Sequence, residues 1–274
     1  MANQLLPAQL GHGVEHRHLA PKYALRRTLG EGSYGTVFLA TGPSGDVALK
    51  IFKGLGEFKH RRFARAVLTG VFDRPWCIRA RARRVYCLLS QQITRIVLMP
   101  VVTPCIWGNI DINAARAALE LPAKLFALDL VHNDISPSNM GKHNNQYVLL
   151  DPDSVRRSHD GEYYGTFVPW TTPPFDDGHP LLWPAELDQP RVQQALTAWA
   201  ALATAIVFVT GAHHDSVHFT IWRRRNSLYK ALHRALPGDQ VIKAIALFES
   251  LWAKALPTLA GAQVTATTPT PDST

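Results

Sequence analysis

The segment from His132 to Asn139 reads His-Asn-Asp-Ile-Ser-Pro-Ser-Asn, and a further aspartate, Asp151, follows it. In this pattern Asp134 is a carboxylate that could orient an attacking hydroxyl group and accept its proton. Asn139 and Asp151 offer an amide oxygen and a carboxylate, and hard cations such as magnesium prefer oxygen ligands. Phosphoryl transfer from a nucleotide needs few protein groups, and these three fit that reaction. The pattern therefore indicates phosphoryl transfer, and motifs upstream in the chain strengthen that interpretation.

The upstream motif is rich in glycine and precedes a lysine. Its candidate nucleotide-binding residues are Gly30, Gly32, Ser33, Gly35, Val37, Ala48 and Lys50. Three glycines at this spacing are a weak signal alone, because dinucleotide-binding folds use them too. Here, however, residues 36–40 are rich in β-branched and aromatic side chains, and a Gly-Pro-Ser-Gly turn follows them. This order predicts a β-hairpin over the phosphates rather than a strand leading into a helix. The glycines would let backbone amides approach the phosphates.

With these motifs in this order, the chain resembles the eukaryotic-type protein kinase superfamily over roughly residues 23–255. The resemblance implies an α+β, bilobal protein-kinase-like fold with a small β-rich N-lobe and a helical C-lobe. It also implies ATP and Mg²⁺ as cofactors. Asp134 would then be the catalytic base, assisted by Lys50 and Asn139. Asn139 and Asp151 would hold the metal ion, and Lys50 would pair with the α- and β-phosphates.

Apolar periodicity predicts the main elements of such a fold. Strands are expected over residues 23–52, a short helix over Glu57–Thr69, a hairpin over Val85–Ser90 and Ile93–Met99, a helix over Ile112–Leu130 and a strand over Gln146–Leu150. The predicted domains are a flexible arm (1–20), an N-lobe (21–100), a C-lobe (101–257) and a disordered tail (258–274). The tail is rich in threonine and proline, a composition that disfavours folding.

Two acidic residues near the motifs have uncertain roles. Glu57 is the only glutamate between Lys50 and Ile112, so it is the candidate partner of that lysine. It equally fits a carboxylate in the first turn of a helix, where the helix dipole favours it. Asp153, in an Asp-Pro-Asp sequence, could add an oxygen ligand for the metal ion. It also fits a turn, where aspartate is common.

Two further positions depart from the protein-kinase pattern. Ser136 lies where Ser/Thr protein kinases have a lysine, two residues after the catalytic aspartate. Small-molecule kinases of the aminoglycoside and choline type lack that lysine as well. Thr197 lies where the buried helix of the large lobe usually opens with an aspartate, which leaves the anchoring of the catalytic loop open.

The chain has a formal net charge of +8, with basic runs at Lys59–Arg65, Arg79–Arg84 and Arg223–Arg225. An acidic protein substrate, a phosphorylated lipid or a nucleic acid would suit this excess, although charge runs also serve solubility. No recognised nucleic-acid-binding motif supports that third partner. The sequence does not indicate an oligomeric state.

The three cysteines are not paired in a Cys-x-x-Cys motif, which suits a reducing compartment and favours a cytoplasmic protein. The most apolar stretch, Ala195–Thr210, is short for a membrane span, so a buried helix is expected and no transmembrane segment.

The leading functional hypothesis is a Ser/Thr protein kinase, similar to small bacterial effector kinases that act in a host cytosol. A small-molecule kinase is the first alternative, favoured by Ser136 and the Asp-Pro-Asp sequence. Residues Gly165–Pro174 resemble the end of a protein-kinase activation segment and disfavour that alternative. A catalytically silent pseudokinase is the second alternative, although all four central residues, Lys50, Asp134, Asn139 and Asp151, are retained.

Overall fold

The computed structural model describes residues 23–32, 35–52, 74–78, 80–87, 92–132, 134–151, 154–159, 190–212, 225–236 and 238–266. The predicted helix Glu57–Thr69, the segment Gly165–Pro174, and the candidate residues Ser33 and Asp153 lie outside these ranges. The chain divides into two compact units. One contains Met1–Thr103 and Lys142–Val148, and the other contains Pro104–Gly141 and Leu149–Thr274.

The first unit is built on a five-stranded antiparallel sheet with the order β1-β2-β3-β5-β4. Its strands are β1 (Ala24–Gly32), β2 (Gly35–Gly42), β3 (Gly45–Phe52), β4 (Arg81–Cys87) and β5 (Gln92–Met99). The strands expected over residues 23–52 and the β4–β5 hairpin are therefore present. Gly45 adopts φ +109°, a conformation that L side chains rarely adopt, so glycine suits the β2–β3 turn.

One face of this sheet carries the apolar core of the unit. The buried side chains there are Phe38, Ala40, Leu49, Ile51 and Ile96, with Tyr23, Leu25, Val47 and Leu98 packed against them. Because side chains alternate between the two faces of a strand, the residues between these positions lie on the opposite face. Lys50, between Leu49 and Ile51, therefore lies on the second face.

The second unit contains most of the helices. They are α1 (Ile112–Phe126), α2 (Pro190–Thr210), α3 (Arg225–Ala235) and α4 (Asp239–Ala266), with a short 3₁₀-helix at Pro137–Asn139. Five short strands complete the described chain: β6 (Thr103–Pro104), β7 (Leu130–His132), β8 (Met140–His143), β9 (Gln146–Leu149) and β10 (Val155–Arg157). Helix α1 begins where it was predicted, because Asp111 caps it by accepting from the Ala114 backbone N–H at 2.9 Å. It ends before Leu130, which begins β7.

Helix α2 is the centre of the helical unit and packs against α1, α3 and α4. Its length and composition would suffice for a membrane span, yet 89% of its apolar window is buried inside the structure. The Trp199 ring lies 5.2 Å from the Phe248 ring of α4, centroid to centroid. Thus α2 has the environment of a core helix, as the sequence predicted for Ala195–Thr210.

The predicted fold class is confirmed: the chain is α+β, with an antiparallel sheet first and helices later, as in a bilobal protein-kinase-like fold. The C-terminal boundary differs from the expectation, because α4 continues to Ala266. Residues 258–266 are therefore helical and not part of a disordered tail. Their alanine and leucine residues favour a helix, and the threonine- and proline-rich composition belongs mainly to the residues after them.

Candidate active site

One row of four paired residues crosses the N-terminal sheet, and three of them were predicted to bind a nucleotide. Gly30 of β1 pairs with Val37 of β2, and Val37 pairs with Lys50 of β3. Lys50 in turn pairs with Val97 of β5. Directly paired residues point to the same face of a sheet. Val37, Lys50 and Val97 therefore share the face opposite the apolar core.

A second row on the same face extends this surface. Ala48 pairs with Leu39 on one side and with Met99 on the other. Ala48 and Val97 are buried, whereas Lys50 is only partly buried. An apolar surface beside a lysine ammonium group matches a ligand with a flat ring at one end and phosphates at the other. Val37, Ala48 and Lys50 thus lie on the same face of the sheet.

The glycine-rich segment occupies the end of the β1–β2 hairpin. Gly32 pairs with Gly35 at the last position of the ladder. A Cβ atom added at Gly30 would meet no heavy atom within 4 Å, so the space beside this backbone position is open. Open space next to a glycine backbone leaves room for phosphate oxygens to approach the amides.

Asp134 and Asn139 are joined directly in the helical unit. The Asn139 Nδ2 donates one hydrogen bond to the Asp134 backbone oxygen at 2.8 Å and another to Asp134 Oδ2 at 2.9 Å. An amide nitrogen has two hydrogens, and both are used here. Among the residues that the structure describes, no hydrogen bond is seen at Asn139 Oδ1, so this atom could face a cation.

Ser136 shapes the loop between these two residues. Its side chain caps the 3₁₀-helix, accepting from the Asn139 backbone N–H at 3.1 Å. Ser136 is buried, with 3% of its surface exposed. The serine that replaces the expected lysine therefore has a structural role. The sequence carries the signal for this role, since a Ser-Pro pair is typical of a helix N-terminus.

Asp151 reaches the same part of the helical unit through two backbone links. The Leu150 N–H donates to the Asn139 backbone oxygen at 2.7 Å. Strand β10 then pairs with β7, with Val155 opposite His132. Asp151 itself has φ +52°, a left-handed conformation that is uncommon for residues other than glycine. Such strained backbone positions concentrate at functional sites.

His132 is fully buried beside the candidate base. Its Nδ1 accepts a hydrogen bond from the Asp134 backbone N–H at 3.3 Å. Burial lowers the pKa of His132 to about 4, and the negative charge of nearby Asp151 opposes only part of this change. The imidazole is therefore neutral at physiological pH, and its contact supports the loop. Asp134 therefore stays the candidate base.

Helix α2 supplies two hydroxyl groups to the loop. The His132 backbone N–H donates to Thr197 Oγ1 at 3.2 Å, so the threonine makes an anchoring contact that the sequence had left open. Thr204 Oγ1 donates to the Ile135 backbone oxygen at 2.9 Å. Thr204 was not among the predicted site residues. The available signal was a second threonine in the apolar stretch Ala195–Thr210, seven positions after Thr197.

A tryptophan also contacts the loop. Trp107 Nε1 donates to the Ser138 hydroxyl at 2.8 Å, one residue before Asn139. No local pattern indicates this contact, because thirty-one positions separate the two residues. Ser138 is thus held from a segment outside the motif.

The candidate metal ligands are few. Within the ranges that the structure describes, no group of three or more His, Cys, Asp or Glu side chains could hold a metal ion. Asn139 and Asp151 alone would make an incomplete ligand set. Magnesium is commonly held in this way, by one or two protein oxygens together with substrate phosphates and water. The residues therefore fit Mg²⁺ that arrives with a nucleotide.

No protein-family model matches the chain. The chain is 29% identical, over 143 aligned residues, to a calcium/calmodulin-dependent protein kinase of Metarhizium anisopliae. The similar region covers 48% of this chain and 36% of that protein, so the chain spans about a third of the relative's length. The comparison thus finds similarity to a member of the protein kinase superfamily.

Proposed function

We propose that this protein is an ATP-dependent protein kinase that transfers the γ-phosphate to Ser or Thr hydroxyl groups of a protein substrate. One observation carries the proposal: both amide hydrogens of Asn139 are bound to Asp134, which leaves Asn139 Oδ1 for a cation. The candidate base and a metal ligand are thereby held in one geometry. The similarity to a fungal protein kinase supports kinase function in general.

In this proposal, Asp134 orients the acceptor hydroxyl group and takes its proton as the bond to phosphorus forms. Asn139 and Asp151 would hold Mg²⁺. The ion, when bound, neutralises charge on the phosphate oxygens. Lys50 would pair with the α- and β-phosphates, and the glycines at 30, 32 and 35 would admit them close to the backbone.

The rate enhancement would come mainly from positioning and electrostatic stabilisation, because phosphoryl transfer requires little covalent chemistry from the protein. The network around the loop suits this demand. The Asp134 backbone N–H is bound to His132, and its side chain is bound to Asn139. A base held from both sides keeps its orientation before the substrate arrives.

The nature of the acceptor is the finer part of the proposal. The basic excess of the chain would suit an acidic protein substrate. A small-molecule kinase of the aminoglycoside or choline type is the second candidate. It is favoured because Ser136, which is buried in the loop, occupies the position where Ser/Thr protein kinases have a lysine. A cytoplasmic location, or action in a host cytosol as an effector kinase, belongs to the same proposal.

The test is to incubate the purified chain with Mg-ATP and a mixed protein extract, and to map phosphorylation sites by mass spectrometry. The Asp134→Ala variant is the control. We expect phosphorylated Ser and Thr residues that are absent with the variant.

A parallel assay measures ADP production with aminoglycosides and choline as acceptors. Turnover with these molecules alone would replace the protein-kinase proposal by the second candidate. ATP binding without turnover on any acceptor would indicate a pseudokinase.

A further inference from the structure

Helix α2 carries two buried threonines on one side. Thr197 and Thr204 are seven residues apart, about two helical turns, so they lie on the same face. Both are fully buried, with no exposed surface. The residues between them are all apolar: Ala198, Trp199, Ala200, Ala201, Leu202 and Ala203. A hydroxyl group that is buried in such surroundings destabilises the fold unless it forms a hydrogen bond.

The two threonines form hydrogen bonds with the backbone before and after Asp134. Thr197 Oγ1 accepts from the backbone N–H of His132, two residues before the aspartate. Thr204 Oγ1 donates to the backbone oxygen of Ile135, one residue after it. Thr197 also donates to the Gln193 backbone oxygen at 2.9 Å, which fixes the direction of its hydroxyl hydrogen.

We infer that Thr197 and Thr204 are positioning residues that together hold the catalytic loop on α2 through two uncharged hydroxyl groups. The Thr197 hydroxyl accepts from an N–H and the Thr204 hydroxyl donates to a C=O. Displacement of the loop would therefore break at least one of these hydrogen bonds. Neither side chain touches the reacting groups, and both act through the backbone on either side of Asp134. This inference rests on the proposed function, in which Asp134 is the base.

The experiment compares isosteric variants with a matched control on the same helix. Thr197→Val and Thr204→Val remove each hydroxyl and keep the shape of the side chain. Thr197→Ser and Thr204→Ser keep the hydroxyl. Thr210→Val is the control, because Thr210 is exposed and, among the described residues, its hydroxyl donates to the α2 backbone oxygens of Ile206 at 2.7 Å and Val207 at 3.5 Å.

Two readouts are measured on the full chain. The first is turnover of Mg-ATP with the mixed protein extract, resolved into kcat and the KM for ATP. The second is hydrogen–deuterium exchange of the peptide that covers residues 130–139. We expect each valine variant to lower kcat by about tenfold to a hundredfold, since small displacements of a catalytic group have effects of this size. The KM for ATP should change by less than about threefold, because the proposed ATP contacts are elsewhere.

Exchange of residues 130–139 should rise in both valine variants, and the serine variants should restore both readouts. Thr210→Val should behave as wild type. If a valine variant does not fold, the alanine and serine variants of that position replace it, because they differ only in the hydroxyl.

Wild-type turnover with unchanged kcat and unchanged exchange in the valine variants would overturn the inference while leaving the proposed function intact. An equal loss in Thr210→Val would also overturn it, since the effect would then be general to the helix. Absence of wild-type turnover would instead contradict the proposed function and the catalytic part of this inference. Raised exchange in the valine variants would then still support the anchoring itself.

Discussion

The candidate nucleotide-binding residues of the sheet and the candidate catalytic residues of the helical unit are positioned in different ways. In the N-terminal sheet, Val37 and Lys50 lie on regular strands, and the strand register places them in one row. In the helical unit, Asp134 and Asn139 lie on a loop. That loop is held by α2 residues that are 65 and 69 positions distant from their partners in the sequence.

This difference affects how each set of residues responds to change. A strand residue is held by hydrogen bonds of the backbone ladder, which a side-chain substitution leaves in place. The loop depends on a few side-chain hydrogen bonds, each with a net contribution of about 1 kcal/mol. Substitutions at the predicted ligand-binding positions of the sheet, such as Lys50, should therefore change ligand binding and leave the fold intact. Substitutions around the loop should change both catalysis and local order.

The largest expected effect is that of Asp134→Asn, at the centre of the loop. The variant keeps an oxygen that can accept from Asn139 Nδ2, so the geometry should persist while the base is lost. We expect kcat to fall by about 10²–10⁴-fold, with ATP affinity nearly unchanged. Single-turnover kinetics and ATP titration measure the two quantities. Asp46→Asn, on the β2–β3 hairpin, is the control, and retention of wild-type kcat in Asp134→Asn would exclude Asp134 as the base.

The matching change in the sheet is Lys50→Met, which keeps the length of the side chain and removes the charge. Hydrogen bonds to charged groups contribute about 1.5–3 kcal/mol, so ATP affinity should fall by roughly tenfold to a hundredfold. The free energy of unfolding should stay near that of wild type, as measured by urea denaturation. Lys230→Met is the control, because the Lys230 side chain is exposed on α3. A large loss of stability in Lys50→Met would contradict the expectation that this substitution changes ATP binding and leaves the fold intact.

The buried histidine predicts a dependence of stability on pH. The pKa of His132 is lowered to about 4 in the folded protein, below the ordinary value of 6.5. The unfolded chain therefore binds more protons between these values, and stability should decrease as the pH falls from 6.5 to 4. The free energy of unfolding should be about 3 kcal/mol larger above pH 6.5 than below pH 4.

Urea denaturation over this pH range tests the effect with His132→Asn, which retains an acceptor for the Asp134 N–H. The variant should lose part of the pH dependence, and His233→Asn, at an exposed histidine, is the control. Identical slopes for all three proteins would show that His132 does not titrate in this way.

The smallest expected effect contrasts two glycines in the sheet. A Cβ at Gly30 would meet nothing within 4 Å, so Gly30→Ala should change the free energy of unfolding by less than about 0.5 kcal/mol. A Cβ at Gly42 would lie 2.7 Å from the Tyr23 ring, so Gly42→Ala should destabilise by about 1–3 kcal/mol.

ATP titration then separates the two variants in the opposite order. Gly30→Ala should weaken ATP binding several-fold if phosphates use the open space beside Gly30. Gly42→Ala should leave it unchanged. Unaltered ATP affinity in Gly30→Ala would indicate that the phosphates do not approach this residue.

Much of the sheet could be predicted from local patterns. The β-branched and aromatic residues at 36–40 and the Gly-Pro-Ser-Gly turn predicted strands over residues 23–52, and Val37, Ala48 and Lys50 lie on β2 and β3. Strand-forming residues and turn residues are local features, so they are visible in the sequence. The tail was predicted less well, because composition does not locate the end of a helix such as α4.

The motif residues Asp134, Asn139 and Asp151, and the chemistry they could perform, were determined by the sequence alone. Their arrangement was decided by the tertiary structure. The links from Thr197, Thr204 and Trp107 to the loop join residues that are far apart in the chain, and no periodicity signals such pairs. The low pKa of His132 has the same origin, since burial depends on everything that packs around a residue. Local spacing thus specifies which groups are present, and only packing specifies how they are held.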